Sequence, residues 1–172
     1  MKSSELPPNQ YAPFYAPYIN ALNNADLLEE LEISMADFIK FVREIPLGKH
    51  DYRYAEGKWT IKQIIRHIID SERIFAYRAL RFARKDNTEL PGFDQDLFVG
   101  NVDAERSNIQ ELLTEFSAVR YASLLLFKTF DQEQLNAVGV ASGNPISVAA
   151  LGFIIIGHQK HHQQVFTERY LN

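Results

Sequence analysis

Four stretches of the chain place apolar residues three and four positions apart, and this spacing allows little besides a bundle of long helices. Leu28, Leu31, Met35, Phe38, Val42 and Ile45 step by 3, 4, 3, 4 and 3 residues, the period of a helix that buries one face. Pro46 marks its end, since its ring cannot continue a helix. The second stretch opens at "KWTIKQI". Thr60 can cap the helix and Gln63 can close a capping box. Trp59 and Ile64 take the two staple positions on either side. This helix is expected to run to about Arg84, where "KDNTELPGFDQDLFVGNV" breaks the pattern with Pro91, Gly92 and Gly100. Asp103 is placed to cap the third, in which Ile109, Leu112, Phe116, Val119, Ser123, Leu126 and Phe130 step by 3 and 4. The fourth begins near Ser147 and reaches about Tyr170.

Helices are therefore expected over residues 26–45, 60–84, 104–130 and 147–170, with 135–146 non-helical. Within the last of these, "VGVASGNPISV" carries a turn signal from Ser142 to Pro145, which a small β-hairpin or a plain loop would satisfy. Connections of this length permit crossovers, so the expected fold is all-α, a four-helix bundle with long crossover loops.

A chain of 172 residues fits one domain, 1–172, large enough to bury a full core. Residues 1–24 form an irregular arm, because Pro7, Pro8, Pro13 and Pro17 interrupt it; Tyr11, Phe14, Tyr15 and Tyr18 are expected to pin it to the body. The net charge is −4, with both signs scattered and no basic stripe, which argues against a nucleic-acid partner. There is no cysteine, which excludes disulfides, a cysteine-based zinc site and a catalytic thiol of the protein's own. "MKSSELPPNQYAPFYAPY" has no apolar core of a signal peptide, and the apolar run around Leu151 to Ile156 is too short to span a bilayer. The expected compartment is the cytoplasm.

"IIIGHQKHHQQVF" carries the chemistry. The inward seam of the fourth helix is Leu151, Ile155, His158, His162 and Val165. Two imidazoles thus replace apolar residues on the buried face, four apart, one above the other. His161 is rotated onto the flank. His67 lies among Ile64, Ile65 and Ile68 on the inward face of the second helix, and a bundle can bring it opposite the pair. His50, in "GKHDYRY", is expected to be solvated. Two readings stand at this point. These are core histidines satisfied by hydrogen bonds, or they are the three protein ligands that a metal site with an open position requires. Asp70, one turn from His67, is placed to orient a ring or hold a water; Glu72 and His161 are further supporting candidates. The alternative for Asp70 and Glu72 is a surface acid, solvated or paired with Arg66 or Arg73.

"KWTIKQIIRHIIDSE" followed much later by "GHQKHHQQVF" resembles the DinB/YfiT-like superfamily of metalloenzymes, in particular its branch related to bacillithiol transferases. In that branch a Trp-Thr helix start precedes a histidine and an Asp-Ser pair, and the last helix carries H-x-x-H-H. The "GFDQDLFV" loop is similar to an acidic-aromatic loop there. The likeness covers about residues 25–172. It implies a four-helix bundle that binds a divalent metal, zinc or nickel, through His67, His158 and His162, and it implies a homodimer. Arg66 departs from the pattern, standing where relatives often have a second histidine.

A three-histidine metal with open positions supports two kinds of chemistry. It can deprotonate a low-molecular-weight thiol for attack on an electrophile, or it can activate water for hydrolysis. The resemblance favours a metal-dependent thiol S-transferase acting on small molecules, with a metal-dependent hydrolase as the alternative. A bundle without catalysis would call for a closed four-ligand site, and only three inward histidines are present. Thr60→Ala should remove the N-cap bond of the helix that carries His67. The expected loss is about 1 kcal/mol, measured as a lowered urea midpoint; unchanged stability would remove Thr60 from that role.

Overall fold

Each of the four long helices starts at a side chain that takes up its first free amides. Asp26 accepts from the amides of Leu28 and Glu29, at 3.1 and 3.4 Å. Thr60 and Gln63 form the reciprocal box the sequence predicts, at 3.2 and 2.9 Å. Asn108 does the same with Glu111, at 2.8 and 3.0 Å, and Ser147 accepts from Ala150 at 3.1 Å. The computed structural model describes residues 1–103 and 106–172. Its elements are α1 (Ala16–Asn20), α2 (Leu27–Arg43), α3 (Ile61–Ala83), α4 (Gln95–Gly100), α5 (Ile109–Lys128), α6 (Gln132–Asn136), β1 (Val138–Ala141), β2 (Asn144–Ser147) and α7 (Val148–Val165). A π-helical turn, Phe166–Tyr170, extends α7.

The bundle is built from α2, α3, α5 and α7. Going round it, α7 packs on α3, α3 on α5, α5 on α2, and α2 back on α7. Helices α2 and α3 follow each other in the chain yet lie across a diagonal, as do α5 and α7. The expected crossovers are therefore the connections 44–60 and 129–147. The second contains the β1–β2 hairpin, in which Val138 pairs with Ser147 and Ala141 with Asn144. Its two-residue turn is Ser142–Gly143, both at positive φ, the geometry whose twist matches that of the strands it joins.

Several expectations are corrected. The residues 104 and 105 at the expected start of the third helix lie outside the described residues. Asp103 does not cap α5; it pairs with Arg106 at 2.7 Å, and Asn108 is the cap. The arm holds α1, the loop after α3 holds α4, and α6 takes residues 135 and 136 from the stretch expected to be non-helical. The buried face of α5 is also rotated: Arg120, Leu124 and Phe127 point inward, while Val119 and Leu126 are only partly buried.

That rotation puts a charge in the core. Arg120 and Glu72 are 0% and 2% exposed, so the pair is fully removed from water. The Arg120 Nε donates to both Glu72 oxygens, at 2.9 and 3.1 Å. Its Nη1 donates to Ser34 Oγ at 2.8 Å and Gln159 Oε1 at 3.3 Å. One guanidinium thereby joins all four bundle helices. The polar layer divides the apolar interior into one cluster containing Leu31, Phe75, Leu124 and Ile155 and another containing Phe38, Ile68, Phe116 and Phe166. Among the described residues no helix is long and apolar enough to cross a membrane.

Arg120→Leu should leave the Glu72 carboxylate buried without a partner. A broken buried pair costs about 3–5 kcal/mol, and urea unfolding should register a loss of that order. Adding Glu72→Leu should recover part of it, since two apolar residues are cheaper there than one stranded charge. A single Arg120→Leu protein as stable as the parent would mean that the pair contributes nothing to the bundle.

Candidate metal centre

Helix α7 is buried on every side from Val148 to Gln159, which suits a central helix that is apolar all round. Its histidines begin where that burial ends. His158 is buried and His162, one turn on, is partly exposed. His67 on α3 is buried against them. The Nε2 atoms of His67 and His158 are 3.0 Å apart, and those of His158 and His162 3.1 Å. One ligand nitrogen from each of the three rings lies within 4.8 Å of the other two, and no carboxylate among the described residues joins the group.

Burial keeps these rings uncharged. It pushes His67 down to about 4 from the ordinary 6.5. Burial first, then the neighbouring His67 and His161, brings His162 to about 3. Burial, with His162, His67 and His161 adding to it, also holds His158 well below 6.5. A neutral imidazole carries a proton on one nitrogen and a lone pair on the other. Ser71 Oγ lies 3.4 Å from Nδ1 of His67; a proton on that nitrogen leaves the Nε2 lone pair directed at the other two rings. Three lone pairs converging on one point is the donor set of a cation site, and a poor arrangement for rings that merely pack. The residues therefore fit a divalent ion. His162 Nδ1 is buried and meets no partner among the described residues.

Aromatic rings close the site. Trp59 lies over His67, with ring centres 5.0 Å apart; Tyr18 of α1 contacts His158 and His161 at 5.7 and 5.3 Å. Two cavities flank the cluster. One, of about 290 Å³, is lined by Tyr54, Trp59, Asp96, His161 and His162. The other, of about 300 Å³, is lined by Tyr15, Tyr18, His67, Phe75, Arg78 and His158. Helix α4, from the "GFDQDLFV" loop, contributes Gln95 to the second and Asp96 to the first.

Of the supporting candidates, Asp70 and Glu72 are held by arginines, while His161 stands beside the cluster. Asp70 is 3.4 Å from Arg73, the arginine-paired role set out above. Burial raises its carboxyl, while Arg66 and Arg73 pull it back. Glu72 is arginine-paired too, but in the core on Arg120 and not at the surface. His161 is exposed on the flank, against the His162 ring. Arg66 is held by Glu115 at 2.6 Å on α5. His50 is not solvated: it is buried, and its Nε2 donates to the Ile45 carbonyl at 3.2 Å. The sequence reading missed Arg78 and the arm's place in the site. A single arginine on an amphipathic helix carries no signal of its own, and the tyrosines of the arm signalled anchorage only.

A four-helix bundle with crossed connections and a buried three-histidine cluster defines a recognisable class. The chain belongs to the DinB superfamily, whose family model matches residues 30–166. It is 29% identical over 111 residues to a protein of Oceanobacillus iheyensis named as a candidate metal-dependent hydrolase. That match spans 63% of this chain and 63% of the relative's length. Among solved structures, YfiT from Bacillus subtilis superposes with a TM-score of 0.72 at 19% identity, over 83% of this chain and 82% of that one. YfiT is described as a probable metal-dependent hydrolase with an unusual four-helix bundle topology; at this identity the likeness establishes the fold.

The depressed histidines give the metal-free protein a predictable response to acid. In the unfolded chain they take up protons near pH 6.5; in the fold they refuse them down to about 4 for His67 and about 3 for His162. The unfolded state thus binds more protons within this window, and stability rises with pH there. The contribution is full above pH 6.5 and is lost as the pH falls towards those lower values. The urea midpoint of the metal-free protein should drop between about pH 7 and 5, and by less in His158→Gln, which removes one of the three depressed rings. A midpoint that is level in both proteins would contradict the neutral, buried rings.

Proposed function

We propose that the protein is a metal-dependent enzyme in which His67, His158 and His162 hold one divalent cation, zinc or nickel, and that it transfers a low-molecular-weight thiol to an electrophilic small molecule. The observation that carries this reading is the convergence of three neutral Nε2 atoms on one point with no carboxylate among them. A divalent cation held there supplies Lewis acidity, lowering the pKa of a thiol or a water that joins it. The protein's own part is to present three uncharged donors, to fix the His67 ring through Ser71, and to shield the site with Trp59, Tyr18 and Phe75. Thiol is favoured over water by what surrounds the donors. Hydrolysis calls for a positioned general base, and the two acids nearest along α3, Asp70 and Glu72, are engaged by Arg73 and Arg120. A thiol, with an ordinary pKa of about 8.5, loses its proton far more readily than water. The absence of cysteine leaves no protein thiol to compete for the metal.

A second reading, a metal-dependent hydrolase, is supported by the names of the two relatives and by Asp96, a carboxylate in the cavity that His161 and His162 line. Metal analysis followed by paired assays separates the two. His67→Ala, His158→Ala and His162→Ala should each lose metal and activity, while His161→Ala, on the flank, keeps its metal. The wild type should accelerate coupling of a thiol to chlorodinitrobenzene. Metal kept in His162→Ala but lost in His161→Ala would overturn the ligand set. A metal-loaded protein that cleaves esters or amides and ignores every thiol would replace the transferase reading with the hydrolase one.

A further inference from the structure

Among the described residues, Arg78 is a buried cation without a counter-ion. It lies on α3, 3% exposed, and among the described residues no carboxylate comes within ion-pair distance of it. Its Nη2 donates to the Pro91 carbonyl at 2.8 Å and to Ser142 Oγ at 3.1 Å, and Tyr15 lines the same cavity. All of these partners are neutral. Burial pulls the Arg78 guanidinium below its ordinary value and pushes the Tyr15 hydroxyl above its own. The other buried arginine, Arg120, is matched by Glu72. Burying a cation with dipoles alone is unfavourable, and an anion reaching Arg78 would supply the partner the fold does not.

What Arg78 faces indicates the ligand. It shares one cavity of about 300 Å³ with His67 and His158, and the walls between are the rings of Tyr15, Tyr18, Phe75 and Phe93. A guanidinium is a planar fork suited to a carboxylate, and the aromatic walls suit a flat or apolar body. We propose that Arg78 binds a carboxylate of the small molecule that occupies this cavity, leaving its other end against the three histidines. The thiol and the electrophile are both possible carriers of that carboxylate. This inference rests on the function proposed above only in taking the histidines as the reactive end; the anion site itself needs no metal.

A purely structural Arg78, pinning Pro91 to the Ser142 turn, would give no preference for anions, so selectivity is the measurement. Metal-free protein is titrated with benzoate and with its neutral analogue benzamide. Zinc-loaded protein is titrated with mercaptopropionate and with mercaptoethanol. In at least one pair the anion should bind more tightly, and Arg78→Gln should weaken that anion by roughly tenfold or more while leaving the neutral analogue unchanged. The pair that responds names the carrier. Arg78→Lys, which keeps the charge, should retain part of the preference and covers the case in which Arg78→Gln does not fold. In the wild type, benzoate should shift the ring resonances of His67 and His158 and spare those of His50, if the electrophile is the carrier. Equal binding of anion and neutral analogue in both pairs, or Arg78→Gln binding the anions as the wild type does, overturns the proposal. Zinc failing to bind the wild type while benzoate selectivity persists would overturn the metal reading and leave the anion site standing.

Discussion

The guanidinium of Arg120 fixes how the four helices of this protein face one another. It reaches Ser34 on α2, Glu72 on α3 and Gln159 on α7 from its own position on α5. As a source of stability such a pair is weak, because desolvating two charges offsets much of their attraction. As a constraint on register it is strong. Sliding α3 by one turn would strand a carboxylate and a guanidinium in the core, and sliding α7 would take the Gln159 oxygen from that guanidinium, whereas the apolar clusters on either side would repack at smaller cost. The consequence for the site is direct. Gln159 follows His158 on α7, and Glu72 lies just beyond His67 and Ser71 on α3. Fixing Arg120 against both therefore fixes His67 against His158.

Placing the histidines at the edge of the second apolar layer has an electrostatic effect as well. The burial that seats the rings also suppresses their protonation, so near neutral pH the protein presents lone pairs and not three mutually repelling cations. Metal affinity and apo stability then respond to acid in the same direction, since protons compete for the same nitrogens. The cluster is open to a cavity on each side, one bordered by His161 and His162 and the other by His67 and His158.

How much of this was legible in the sequence follows from the range of the forces involved. Caps and seams are local, so the Thr60–Gln63 box and the ends of the long helices fall within a few residues of expectation, apart from the start of α5 at Ile109. His67 and His158 are 91 residues apart, yet both were legible because each interrupts an otherwise apolar face. Arg120 and Glu72, 48 apart, were not. On α5 the sequence offers a rival face through Val119 and Leu126, and nothing local shows that a charge displaces it. The short helices α1, α4 and α6 are too brief to show a period. His50 looked solvated because its neighbours are polar, and only the fold brings Ile45 to its ring.

The arm changes what the family frame can recognise. The matched span begins at residue 30, so Tyr15 and Tyr18 lie outside it, yet Tyr18 contacts His158 and Tyr15 lines the cavity that His158 and Arg78 share. The arm reaches this position because α7 has glycine at 157. A side-chain carbon there would stand 2.3 Å from the Tyr18 carbonyl oxygen, closer than any real contact allows. Gly157 directly precedes His158, so the opening that admits the arm lies one residue from the cluster. The bundle thus supplies the three donors, while a segment with few constraints of its own supplies much of the wall a substrate would meet. Binding residues gather on loops and arms set against a rigid frame, because there the shape of a site can change without disturbing the core. In this protein the two parts meet at Tyr18, whose backbone abuts α7 and whose ring covers His158.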